Sequence, residues 1–106
     1  MTETELLAAI AKVCEAAGPP VRWVHLGGVR RERCRWVPGL PDLLLVGSAG
    51  CCWRELKCGS TRVIAVQAFW LDALEAAGQD VAVWTPLDLA DGTITRELPA
   101  LNSRPG

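Results

Sequence analysis

Three residues of this sequence have types and spacing that could combine into one chemistry. Asp42 follows Pro41, and after twelve intervening residues Glu55 and Lys57 stand with one residue between them. In an extended chain alternate residues share a face, so Glu55 and Lys57 point the same way. A hairpin between the two segments returns Glu55 to the neighbourhood of Asp42. Two carboxylates and one ammonium at adjoining strand ends make a hard-oxygen site for Mg²⁺ or Mn²⁺, with a cationic partner for water or phosphate. The backbone carbonyl of Leu56 could add a third oxygen. The plainer reading is a surface ion pair beside a strand end, because Pro-Asp and Glu-x-Lys are each common. Taken alone, each signal is weak.

The elements that must position these residues can be read from periodicity. Residues 3–17 place Leu6, Ile10, Val13 and Ala17 on one stripe, with Leu7 and Cys14 beside it, which predicts a helix. Thr2 and Glu5 have the spacing of a capping box, and Gly18-Pro19-Pro20 stops the helix. Residues 21–26 predict a short strand ending at Gly27 and Gly28, and 29–40 a loop. Residues 42–47 form an apolar run too continuous for a half-solvated strand, so a central one is expected. Ser48, Ala49 and Gly50 turn the chain into a further strand, 51–58. Residues 62–77 predict a second helix closed by Gly78, followed by a strand at 81–85 and a turn or short helix from Pro86 to Leu89. Asp91-Gly92 then leads into a last short strand, 93–98, and 99–106 is expected to be a loose tail. The sum is one α/β domain over 1–98, a mixed sheet flanked by helices in the order α-β-β-β-α-β.

Net charge is −1, so the overall field does not favour a polyanion, but the distribution does. Nine of the eleven basic residues are Arg, four of them at 30, 31, 33 and 35. Arg30, Arg31, Arg33 and Arg35 suit bidentate contact with phosphate, and a solvated loop balanced by Glu32 is the plainer alternative. Arg22, Arg54 and Arg62 could extend the patch, and Arg62 falls at the start of the second helix. Five cysteines, an odd number, and the absence of a charged-then-apolar leader suggest reduced thiols in a soluble cytoplasmic protein. A zinc site from Cys51, Cys52, Cys58 and His25 lacks the usual two-residue spacer, so small buried hydrophobes are favoured. No apolar run approaches the length that spans a bilayer.

The segments GLPDLLLVG, CWRELKCGSTR and VQAFWLDALEAAGQDVAVWTPLDL together resemble the PD-(D/E)xK nuclease superfamily, and within it the virus-type replication-repair nucleases, the VRR-NUC domain. The residues that carry the likeness are Gly39, Pro41, Asp42, Glu55, Lys57, Gln67, Trp70, Leu71 and Gly78, spread over about positions 39–89. The resemblance implies a restriction-endonuclease-like core in which Asp42 and Glu55 bind a divalent cation, Mg²⁺ or Mn²⁺. Lys57 would orient the attacking water and help neutralise the phosphate.

Gln67 shares a stripe with Val63, Trp70, Leu71 and Leu74, and a polar residue there needs a partner or a function. The family places a Gln at this point, which implies that its side chain reaches the site. Similar proteins also use an acid from the first helix. Glu3 extends the buried stripe towards Leu6, Leu7 and Ile10, whereas Glu5 falls on a more solvated face, so Glu3 is the choice. His25 is read as structural.

The resemblance implies a DNA endonuclease selective for branched structures, acting as a homodimer in a bacterial or phage-infected cell. A nicking or restriction-like enzyme would need base-reading elements for which 106 residues leave little room. A catalytically silent DNA- or partner-binding module on the same fold is the remaining rival. The complete set Asp42, Glu55, Lys57 and Gln67 argues against it.

Overall fold

The computed structural model describes residues 1–26 and 38–103. The Arg cluster at 30, 31, 33 and 35 lies outside the described residues. Helix α1 (Glu3–Ala16) begins at Thr2, whose hydroxyl accepts from the Glu5 amide at 3.1 Å while the Glu5 carboxylate accepts from the Thr2 amide at 2.9 Å. That reciprocal pair satisfies two of the amides a helix start leaves unbonded. Leu6, Ile10 and Cys14 fall on one stripe and are fully buried.

Strands β1 (Arg22–His25), β2 (Leu43–Val46) and β3 (Cys51–Leu56) form an antiparallel meander, and β4 (Val81–Trp84) pairs parallel to β3. A parallel neighbour needs a crossover, which helix α2 (Ala65–Ala76) supplies. Short helix α3 (Pro86–Ala90) and helix α4 (Thr93–Ala100) follow. The molecule is thus an α/β fold with a mixed four-stranded sheet between helices.

The sheet's register sorts its residues by face. Leu43, Leu45, Cys52, Leu56 and Trp84 all point to one side, where they meet Leu6 and Ile10 of α1 and Ile94 and Leu98 of α4 in a single core. Glu55, Trp53 and Val83 point to the other side, which α2 covers. No residue of α2 is completely buried; its half-buried stripe is Gln67, Trp70, Leu71 and Leu74. Val63 precedes the helix, which starts three residues later than 62. Ile64 is extended there, a conformation that β-branched residues favour, and the Gln67 side chain accepts from the Ile64 amide at 3.1 Å.

The chain's end departs from its sequence reading in two ways. Residues 93–98 are helical, not a strand, and 99–103 are not a loose tail. Ile94, Leu98 and Leu101 are all fully buried, and their spacing is that of a helix face. Beyond α4 the chain seals the β2–β3 turn. Ala49 N–H donates to the Leu101 carbonyl at 3.0 Å, and Ser48 N–H to Asn102 Oδ1 at 2.9 Å. A Cβ on Gly47 would lie 2.5 Å from the Leu101 carbonyl oxygen, so only glycine lets the two backbones meet this closely. The ordered domain therefore extends at least to Ser103. Among the described residues, no helix is long and apolar enough to cross a membrane.

Candidate active site

The pairing of Leu43 with Arg54 places Asp42 opposite Glu55, one step further along the hairpin. Both carboxylates are buried, Asp42 at 6% and Glu55 at 2% exposure, an expensive place for charge unless something compensates it. Asp42 Oδ2 accepts from the backbone N–H of Leu56 at 2.9 Å, which also ties the start of β2 to the end of β3. The Asp42 carbonyl accepts from Leu26 N–H, holding the same residue to β1.

Glu55 Oε2 receives two donors. Gln67 Nε2 lies at 3.1 Å and Lys57 Nζ at 3.4 Å. Because Gln67 Oε1 takes the Ile64 amide, its NH₂ group must face Glu55, which fixes the orientation of the side chain. Burial, then the neighbouring Asp42 carboxylate, push Glu55 up to about 7, and Lys57 draws it back only in part. Two carboxylates, Asp42 and Glu55, thus share one ammonium there.

A third carboxylate approaches from α1. Burial and the Asp42 carboxylate, which shares a hydrogen bond with it, also raise the pKa of Glu3. Lys57 opposes that shift, and His25 also lies within electrostatic reach of Glu3. Glu5 is occupied by Thr2 and held below the usual carboxylate range by those hydrogen bonds. Glu3, Asp42, Glu55, Lys57 and Gln67 thus come together from three elements and two strand ends. Arg62 is exposed on the segment joining β3 to α2.

Two of the arginines considered for a phosphate patch stand elsewhere. Arg54 is 1% exposed and points into the core face. There it donates to Asp80 Oδ1 at 3.0 Å and lies 3.7 Å from Glu97, with its guanidinium 5.0 Å from the centre of the Trp84 ring. It cannot reach DNA from there. Arg22 borders a cavity with Pro19, Pro20, Val46, Gly47 and Ser48, at the end of the sheet remote from Asp42.

The Gly-x-Pro-Asp stretch has a structural reason that sequence alone did not disclose. Gly39 has a φ of +88°, and a Cβ there would lie 2.6 Å from the Val66 carbonyl oxygen of α2. Trp70 Nε1 donates to the Pro38 carbonyl at 3.1 Å. The segment carrying Asp42 is thereby laid directly against the helix that carries Gln67. Gly39 and Trp70 were legible only as parts of a pattern; the contact that joins them needed coordinates. His25, read as structural, ends β1 on the site's border.

The donor set is chemically suited to a hard divalent cation: buried carboxylate oxygens with an excess of negative charge. Among the described residues, no three His, Cys, Asp or Glu side chains are arranged to hold a metal ion by themselves. A cation here would rest on Asp42 and Glu55, with backbone oxygen or water completing its coordination.

No family model matches this sequence, and no curated protein does. Among solved structures the fold matches a VRR_NUC domain protein at a TM-score of 0.65 and 17% identity, covering 96% of this chain and 91% of that one. The likeness extends over nearly the whole of both chains and is one of fold. It shows that this protein shares the architecture of that domain.

Proposed function

We propose that this chain is a divalent-metal-dependent DNA endonuclease that hydrolyses phosphodiester bonds, with a preference for branched substrates such as four-way junctions or flaps. The observation that carries the reading is the meeting of Asp42 and Glu55, both buried, at one end of the sheet with Lys57 on Glu55. Mg²⁺ or Mn²⁺ is the cofactor that suits these oxygens, held by Asp42, Glu55 and the Leu56 carbonyl, with Glu3 within reach through Asp42. When bound, such an ion makes water a better nucleophile at neutral pH and offsets charge on the phosphate.

The chain's own groups divide the remaining work. Lys57 keeps an ammonium at the mouth of the site, where it can donate to water or to a phosphate oxygen. Gln67 holds Glu55 in place through its NH₂ group while its carbonyl is tied to the helix start. Arg30, Arg31, Arg33 and Arg35, with Arg62, supply the grip on the phosphate backbone, which makes binding sensitive to salt. A homodimer would set two such sites about a two-fold axis, as cutting both strands of a symmetric junction requires. The cytoplasm of a bacterial or phage-infected cell is the setting this reading implies.

Cleavage of labelled single-stranded, duplex, flapped and four-way-junction DNA with Mg²⁺ or Mn²⁺, by wild type and Lys57→Ala in parallel, tests the proposal. Metal-dependent cutting by wild type and its loss in Lys57→Ala support it. Equal cutting by both removes Lys57 from the chemistry. Folded protein that binds DNA and never cuts it is a silent module.

A further inference from the structure

Helix α2 touches both chain segments that carry the buried carboxylates. Gln67 donates to Glu55 Oε2 at 3.1 Å, and Trp70, one turn further on the same face, donates to the Pro38 carbonyl at 3.1 Å. Just before Gln67, and one turn before Trp70, the Val66 backbone lies against Gly39, where no side chain would fit. Asp42 itself precedes the paired residues of β2, so the β2–β3 ladder does not include it. The Leu56 amide holds its carboxylate, and the short run from Pro38 through the buried Pro41 sets how the chain delivers it there.

From this we propose that Trp70 is a positioning residue for Asp42: by holding the Pro38 carbonyl, its indole N–H clamps the Pro38–Asp42 segment to the helix that grips Glu55. The inference rests on the nuclease reading for its functional meaning, while the clamp itself is a property of the metal-free protein. Trp70 touches neither carboxylate and takes no part in chemistry. One helix, through two side-chain hydrogen bonds a turn apart, sets the spacing between the two acids.

The molecule contains its own control. Trp53 Nε1 donates to Gln79 Oε1 at 3.1 Å, an indole contact just beyond the opposite end of α2. Replacing Trp70 or Trp53 by Phe keeps a ring in place and removes a single N–H donor in each case. The reporter is the Leu56 amide, whose partner is the Asp42 carboxylate. Its hydrogen exchange reads the placement of Asp42 without any metal.

In Trp70→Phe, Leu56 amide exchange should quicken by roughly five- to tenfold, the factor one ordinary hydrogen bond carries. The Mn²⁺ concentration for half-maximal thermal stabilisation should rise by a similar factor. Gly39→Ala, which pushes the same segment off α2 from the other side, should reproduce both shifts. Trp53→Phe should leave both at wild-type values. An unchanged Leu56 amide in Trp70→Phe overturns the clamp, as does an equal shift in Trp53→Phe, which would mean general loosening of the helix. Should the wild type show no response to Mn²⁺, the nuclease reading fails, and the amide measurement still decides the clamp.

Discussion

Glu55 and Arg54 are neighbours on one strand, both almost fully buried, and they face opposite sides of the sheet. The buried charge of Arg54 meets opposite charge: Asp80 and Glu97, both partly solvated, face the guanidinium, Trp84 lies beneath it, and Glu97 also accepts from Trp84 Nε1 at 2.8 Å. The buried charge of Glu55 meets mostly its own kind. Asp42 adds a second anion, Glu3 approaches, and one Lys answers them. A buried cation met by partly solvated carboxylates fastens β3, β4 and α4 together. Buried carboxylates short of a cation store electrostatic cost in the folded protein, which a cationic ligand would relieve. Burial alone thus does not distinguish structural from functional charge; whether the buried group meets opposite charge does.

The sharpest break in that comparison is on the Glu55 side. Lys57→Ala should reduce single-turnover cleavage by about 10²–10³-fold, the usual loss when a charge-stabilising donor is removed. Its effect on urea unfolding should be slight.

Next comes pH. The folded-state pKa of Glu55, about 7, lies above its ordinary value of 4.5. Its proton is therefore held more tightly in the folded state, and the stability this contributes is complete below pH 4.5 and lost as pH rises through 7. The penalty at pH 8 is on the order of 3 kcal/mol. Glu55→Gln should accordingly raise the metal-free melting temperature at pH 8 and flatten its pH dependence, while abolishing stabilisation by Mn²⁺. The wild type's own affinity for Mn²⁺ should strengthen between pH 6 and 8, because the ion competes with that proton.

On the Arg54 side the sign reverses. Arg54→Met should destabilise the fold by about 2 kcal/mol in urea titrations, less than a fully buried pair would lose, because Asp80 and Glu97 are partly solvated. Glu97→Gln, which keeps an acceptor for Trp84 Nε1, should cost about 1 kcal/mol or less. In both variants the midpoint of the Mn²⁺ response should stay where it is in wild type.

How far the sequence could be read differs between these regions for physical reasons. Asp42 and Glu55 were legible as a pair because twelve residues divide into four on β2, four in the turn and four of β3, a plain hairpin count. Their face was legible because strand alternation has a period of two. The last element was not. Ile94 and Leu98 are four residues apart, a spacing that fits strand alternation and a helical turn equally well. Leu101 breaks the tie, being seven from Ile94, and Pro99 hid it by resembling a stop; the helix runs one residue past that proline. Arg54 resembled its surface counterparts because charge carries no local sign of burial. Only Asp80, just before β4, and Glu97 on α4, twenty-six and forty-three positions away, make it a core residue.

The β2–β3 turn lies at the opposite end of the hairpin from the carboxylates, and hairpin tips are ordinarily where chains accept extra residues most freely. Here that freedom is withdrawn. With Gly47 pressed on the Leu101 backbone and Ser48 and Ala49 bonded to Asn102 and Leu101, the tip has no slack to absorb an insertion. Any surplus would be driven into the paired strands, where a shift of one residue turns Glu55 to the other side of the sheet. The C-terminal segment thus acts as a length standard for the hairpin. Diversification of this scaffold by loop grafting is better directed at the joint between β3 and α2, where the exposed segment around Arg62 leaves the phase of the strands untouched.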